Sequence, residues 1–467
     1  MKEKKRKKSV ILALIPVVFL IGALFLTIVV FKQEDPHIPL ILATAVAACV
    51  AVYLRFPWSD IQEGMVQGIN LAMGAILILM VVGTMIGTWV LGGVVPSMIY
   101  YGLKILSPGI FLAATMIICS VVSLGTGSSW STAGTVGVAL IGIGKGLGIP
   151  VNMVAGAIIS GAYFGDKMSP LSDTTNLAPA VAGTDIFSHI RHMVYTVTPG
   201  YVIALILYVI IGARFSGGNL DSGSIQLMLT TLKSNFTIHP LLLLPPLLVI
   251  VMVIKKIPPL PALLGGTAMG GICALLTQSS SLTDVFIAAQ SGFVSKTGVD
   301  MVDNLLSQGG LLSMMKTVAL IICALSFGGI MEKTGMLETL AKALLKYVRR
   351  TGSLIATTIF SCVGMNLIAA DQYMAIVVPG RMYRKAFEAK GLHPKNLSRA
   401  LEDSGTMTSS LIPWNSCGAF MGATLGVSPF AYMPFAFLNL LVPVVSLFYG
   451  YTGITIEKLP EEQEEET

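Results

Sequence analysis

Charge is what this sequence has least of. Only 12% of its 467 residues are Asp, Glu, Lys or Arg, about half the share carried by a soluble domain, so a water-facing globular fold is excluded. Cysteine is also sparse: the six, at positions 49, 119, 273, 323, 362 and 417, stand singly in apolar segments. No pair has metal-ligand spacing, which removes a disulfide scaffold and a zinc site. The run from Gly142 to Gly148 has the glycines of a phosphate loop but lacks the Gly-Lys-Ser/Thr ending and the preceding strand that such a loop needs. No nucleophile and base stand in a catalytic arrangement, so an enzyme is not indicated. The net charge of +6 comes largely from residues at the ends of apolar runs and carries no nucleic-acid inference.

What the chain has is hydrophobicity: 54% apolar residues and a mean hydropathy of +0.79 define an all-α, multi-pass membrane protein in contact with a lipid bilayer. The first apolar run, 10–31, follows a lysine-rich start. At 22 residues and with no Ala-x-Ala site directly after it, it reads as a retained first helix rather than a cleaved leader.

An internal repeat shows when the chain is shifted by 243 residues. Gly92 then falls on Gly335, Gly109 on Gly352, Cys119 on Cys362 and Gly137 on Gly380 without a gap, and the motif 112–124 falls on 355–367. The expected plan is a basic N-terminus over 1–9, a first transmembrane repeat over 10–213, a polar external linker over 214–237, a second repeat over 238–452 and an acidic tail over 453–467. Seven apolar stretches per copy is an odd number, so the copies must have opposite topology. Lys and Arg test this: with the N-terminus inside, 22 of 30 fall on inner segments and six (Lys32, Lys104, Lys145, Arg214, Lys233, Lys296) on outer ones, as the positive-inside rule requires. Both termini are then expected in the cytoplasm.

Inverted repeats with paired broken helices mark secondary transporters, and the breaks mark the site. Four polar breaks stand out in two offset pairs: 125–134 with 368–377, and 165–185 with 402–417. Ser172, Asp173, Thr174, Thr175 and Asn176 concentrate oxygen at one of them, and Asp173 and Asn176 are the candidate Na+ ligands, with Thr174 and Thr175 beside them; plain helix capping is the competing role. Asp166, Asp173, Asp371 and Asp403 are the membrane-depth carboxylates that a proton site needs. Asp371 stands alone in an apolar run. Asp166 is followed by Lys167, so it is either a proton site or half of a buried ion pair. Asp403, beside Glu402, either works at depth or sits solvated near the end of its span. Lys316 either pairs with an intramembrane acid, the preferred reading, or snorkels to the interface. His189 and His192 are expected to be solvated. Thr126, Ser128 and Ser129, among glycines, offer hydroxyls and helix-end amides to an anion, or merely pack closely. Because polarity concentrates in four breaks rather than along continuous stripes, a carrier is favoured over a channel.

At GTGSSWSTAGTVG, GDKMSPLSDTTNLAPAVAGTD, NLIAADQYMAIVVPG and EDSGTMTSSLIPWNSCGAFM, the sequence resembles the NhaC family of sodium/proton antiporters over nearly its whole length, and within it most the malate/lactate branch of Bacillus. The resemblance implies a homodimeric exchanger of the bacterial inner membrane, of the ion-transporter type, in which the broken helices move as an elevator against a scaffold. It implies Na+ and H+ as coupling ions, no further cofactor, and entry of malate with two protons as lactate leaves with Na+. Both loads are neutral, so neither strands a charge in the bilayer. The residues it points to are Asp173, Thr174, Thr175 and Asn176 with Asp371 for cation and proton, and Ser128, Ser129, Asn415 and Ser416 for the organic anion. Plain Na+/H+ antiport would use the same site without the anion.

Overall fold

A computed structural model describes residues 9–33, 35–215, 222–345 and 348–459. The basic stretch 1–8, the centre of the polar linker at 216–221 and the acidic run 460–467 lie outside it. The described chain is helical throughout, with two isolated β-bridges, Phe293 to Gln308 and Leu392 to Lys458. Among the described residues, seven helices are long and apolar enough to cross a membrane, or nine if each of two bent pairs counts as one span. Several of the fourteen apolar stretches therefore build shorter, interrupted helices, because Gly, Pro and polar residues stop them midway.

The helix bounds recur at the offset seen in the sequence. Helices Pro108–Thr126, Ser129–Thr132 with its continuation to Gly146, and Val151–Met168 start 243 residues before Thr351–Ile368, Gln372–Glu388 and Pro394–Leu401. Asp173–Ala182 and Ser416–Leu425 stand at the same offset, bound for bound. Packing is reciprocal as well: Met73–Leu91 lies on Pro259–Thr277 and Leu282–Ser291, while its offset partner Met315–Lys333 lies on His37–Tyr53 and Trp58–Leu71.

Small residues let these helices approach, as expected where lipid gives no hydrophobic drive for one apolar helix to leave it for another. Val151–Met168 packs along Pro108–Thr126 through Gly161 and Gly165. A Cβ on Gly161 would sit 2.2 Å from the Met116 carbonyl oxygen, and one on Gly165 would sit 2.2 Å from the Leu124 nitrogen. These are backbone atoms, which cannot swing aside. Gly161→Ala is accordingly expected to lower the thermal midpoint of the detergent-solubilised protein, at a cost of about 1–3 kcal/mol for forced overpacking; an unchanged midpoint would show that the two helices have slack.

Two interruptions are sharp turns and two are breaks within a helix. At the first turn Gly127 takes φ +69° and Ser128 caps the next helix, its Oγ accepting from the Ser131 amide. At the second, Ala370 takes φ +57° and Asp371 caps in the same way, accepting from the Met374 amide at 3.0 Å. Alanine in the left-handed region costs about 1 kcal/mol, and its Cβ is kept where glycine would serve. The breaks are 169–172, between Val151–Met168 and Asp173–Ala182, and 410–415, ahead of Ser416–Leu425.

Candidate functional site

The turns and one break converge on a cavity of about 590 Å³. Its wall includes Thr126, Gly127 and Ser128 from the first turn, Pro170 to Thr174 from the first break, Asp371 to Tyr373 from the second turn, and Ser416 and Cys417. Asp166, Asp173 and Asp371 all line it, so three carboxylates share one space. The single basic residue among the described wall residues is Lys256.

Asp166 is held from both sides. Its Oδ2 accepts from the Ser129 hydroxyl at 2.6 Å and the Ser129 amide at 3.3 Å, and its Oδ1 accepts from the Ser172 hydroxyl at 2.6 Å. Such charge-assisted bonds are short and strong. They tie the helix that starts at Ser129 to the break at 169–172. Asp371 uses one oxygen for its cap, and its Oδ2 lies 3.5 Å from the Ser416 hydroxyl, whose amide donates to the Ala370 carbonyl. Trp130 stacks on Phe420 with ring centres 4.0 Å apart, closing the wall between the first turn and the helix after the second break.

The site repeats at the offset of 243 with its charges redistributed. The hydrogen bond between Ser129 and Asp166 returns as Ser409 donating to the Gln372 side chain at 3.0 Å. The Ser123 hydroxyl donates to the Ala162 carbonyl, and the Asn366 amide donates to the Gly405 carbonyl. Carboxylates appear on one member of each pair: Asp166 opposite Ser409, Asp173 opposite Ser416, and Asp371 opposite Ser128. Trp130 and Tyr373 are an aromatic pair at the same offset, and both line the cavity.

Of the remaining sequence candidates, Thr126 and Thr174 touch the cavity and the others do not. The Thr175 hydroxyl donates to the Asp166 and Lys167 carbonyls, and the Asn176 amide to the Pro170 and Ser172 carbonyls; both satisfy backbone freed by the break. Asn415 is buried, its amide bonded to Asn366 and its oxygen capping at the Cys417 amide. Thr126 lines the cavity wall, and Thr174 turns its hydroxyl to Glu402 at 2.9 Å.

Two open alternatives are decided, at Lys167 and Asp403, and two expectations are corrected, at Lys316 and at the histidines. Lys167 pairs with Asp403 rather than with Asp166: its Nζ is 2.7 Å from Asp403 Oδ1, and both side chains are 0% exposed. Asp403 is therefore not solvated; it sits on a π-helical turn, Glu402–Thr406, and also accepts from Thr196. Lys316 does not meet an intramembrane acid but pairs with Asp35 where both are well exposed. His189 and His192 are buried and bonded to Ser398 and to the Lys395 and Thr455 carbonyls, because the helix carrying them packs on Pro394–Leu401. Reasoning from sequence gave Glu402 no role of its own. A signal was there: at the repeat offset Glu402 and Asp403 stand opposite Ile159 and Ser160, so two acids occupy positions that are uncharged in the first half.

A membrane-embedded cavity lined by carboxylates, at turns and breaks of interrupted helices, defines a carrier of small cations rather than an enzyme. Comparison with known proteins agrees. A sequence model of the Na+/H+ antiporter family matches residues 161–454. The chain is 41% identical to the Na+/H+ antiporter NhaC of Alkalihalophilus pseudofirmus over 98% of both chains, and 39% identical to the malate-2H+/Na+-lactate antiporter of Bacillus subtilis over 92% of both. It is 38% identical to the arginine/ornithine antiporter ArcD of Halobacterium salinarum over 97% of this chain and 94% of that one. Among solved structures, the Neisseria gonorrhoeae MtrF efflux pump aligns over 92% of this chain at 13% identity with a TM-score of 0.40. The protein belongs to the NhaC-type Na+/H+ antiporter family and is a multi-pass secondary transporter.

Proposed function

We propose that the protein exchanges Na+ for H+ at the cavity bounded by Asp166, Asp173 and Asp371. The observation that carries this reading is the wall itself: three carboxylates from both halves of the chain face one space with Lys256 as the single described cation. Such a wall suits Na+ and protons, which compete for the same oxygens, so that either load lowers its negative charge. The reciprocal packing of the halves and the Lys and Arg distribution support inverted topology with both termini in the cytoplasm of a bacterial inner membrane. In this reading the broken helices move as an elevator within a homodimer, and no cofactor beyond Na+ and H+ takes part. Asp403, paired with Lys167, stands behind the cavity rather than in its wall.

A second reading, malate with protons exchanged for lactate with Na+, is favoured by one observation. About 590 Å³ lies within the range of small-molecule sites, about 300–1,000 Å³, and exceeds what a single ion needs. Thr126, Ser128 and Ser416, with Asn415 holding the break, would then orient the carboxylate, while Ser129 stays bonded to Asp166. Proteoliposomes decide: Na+/H+ exchange is expected when a Na+ gradient is imposed with no organic acid present. Proton movement that instead requires malate outside and lactate with Na+ inside would transfer the conclusion to the organic-acid reading.

A further inference from the structure

Behind the cavity lies a second acidic centre. Glu402 and Asp403 are both fully buried, on the π-helical turn Glu402–Thr406, an irregularity that tends to occur at functional positions. Asp403 takes Lys167 and Thr196 on its Oδ1, and its Oδ2 has no hydrogen-bond partner among the described residues. Glu402 has no ion pair among the described residues: its Oε1 accepts from Thr174, and its Oε2 makes no well-formed hydrogen bond, with the Thr406 hydroxyl beside the carboxyl. A buried carboxyl oxygen left this way is costly unless it carries or receives something.

It is also wired to the cavity. Asp166 Oδ1 is 2.6 Å from Ser172 Oγ, Ser172 Oγ is 3.2 Å from Thr174 Oγ1, and Thr174 Oγ1 is 2.9 Å from Glu402 Oε1. Two hydroxyls thus bridge two carboxyls in an unbroken chain, and each hydroxyl can donate in either direction.

We propose that Glu402 is a second proton-binding site of the exchanger, filled and emptied through Thr174 and Ser172 from Asp166. The inference rests on the Na+/H+ reading above. In the filling step the O–H bond at Asp166 Oδ1 breaks and its proton passes to Ser172 Oγ. Ser172 gives its own proton to Thr174 Oγ1, and Thr174 gives its own to Glu402 Oε1. Asp166 becomes the carboxylate, Glu402 the acid, and total charge is unchanged. The groups facing Glu402 are Lys167, Asp166, Cys362 and the Thr174 and Thr406 hydroxyls, with Asp403 on Lys167 and Arg399 beyond Asp403. With the proton on Glu402, Lys167 and Asp403 form a neutral pair; without it, Glu402, Lys167 and Asp403 together hold one negative charge. When Na+ arrives at the cavity, the proton on Glu402 leaves by the same two hydroxyls, so the chain releases more protons than the cavity wall alone would supply.

The test uses the full-length protein in detergent, with a pH-indicator dye following proton release on rapid addition of Na+. Glu402→Gln is expected to release about one proton fewer per chain than wild type, one site having been removed from the linkage. Thr174→Val keeps the acid and cuts the relay, so it is expected to release the full amount at least about tenfold more slowly, the relay being broken at one link. Wild-type amplitude in Glu402→Gln overturns the proposal, as does a wild-type rate in Thr174→Val; the second variant decides alone if the first fails to fold. Absence of Na+-driven release from wild type would instead overturn the Na+/H+ reading.

Discussion

Asp166→Asn is expected to abolish Na+-driven proton exchange while the protein still folds. Asparagine matches the size of the carboxylate but can accept on one atom only. Of the three donors now on Asp166, the hydroxyls of Ser129 and Ser172 and the Ser129 amide, those that faced the lost oxygen must rotate away or oppose an N–H. Each charge-assisted bond lost costs about 1.5–3 kcal/mol, and the titrating group is gone altogether. Exchange should fall by about a hundredfold or more, corresponding to about 2.7 kcal/mol. Asp371→Asn is the cleaner companion. Asn caps a helix as well as Asp does, so the Met374 amide keeps its partner and only the charge is removed. Its thermal midpoint should match wild type while the pH dependence of exchange is lost. If the pH profile of Na+/H+ exchange in proteoliposomes is unchanged, Asp371 caps its helix and takes no part in transport.

The breaks were legible because polar, Gly- and Pro-bearing sequence at membrane depth has few structural excuses, and the structure turns or unwinds the chain within each stretch the sequence marked. The offset of 243 was legible too, since small residues at close contacts repeat with the helices they serve. What could not be read was which polar side chain faces the space and which faces the backbone. Ser172, Asp173, Thr174, Thr175 and Asn176 look alike as a string of oxygens, yet Asp173 lines the cavity while Thr175 and Asn176 bond to carbonyls nine and six residues earlier. Direction around a helix separates them. Ion pairing failed for a similar reason: Lys167 adjoins Asp166 in sequence, but neighbours on a helix point about 100° apart, and its partner Asp403 comes from a segment more than two hundred residues away. The solvation of His189 and His192 depended on a neighbouring helix, Pro394–Leu401, that no local pattern announces.

Lys167→Met should be among the most destabilising single changes in this protein. Removing one partner of a buried pair strands the other charge, at about 3–5 kcal/mol, and Asp403 would be left with Thr196 as its hydrogen-bond donor. The pair itself need not stabilise the fold, since replacing both partners by neutral groups of similar shape is often harmless. Lys167→Met with Asp403→Asn is therefore expected to recover most of the loss, giving a large coupling term in a double-mutant cycle of thermal unfolding in detergent. Lys167→Met with Asp166→Asn should show a much smaller coupling, because Asp166 is held by Ser129 and Ser172. The reverse order of couplings would mean that Lys167 serves Asp166 after all. Recovery of stability also separates two roles for the pair. If the double variant folds like wild type yet no longer answers to pH as wild type does, the buried ion pair is there to set the charge around Glu402 and not to hold the helices together.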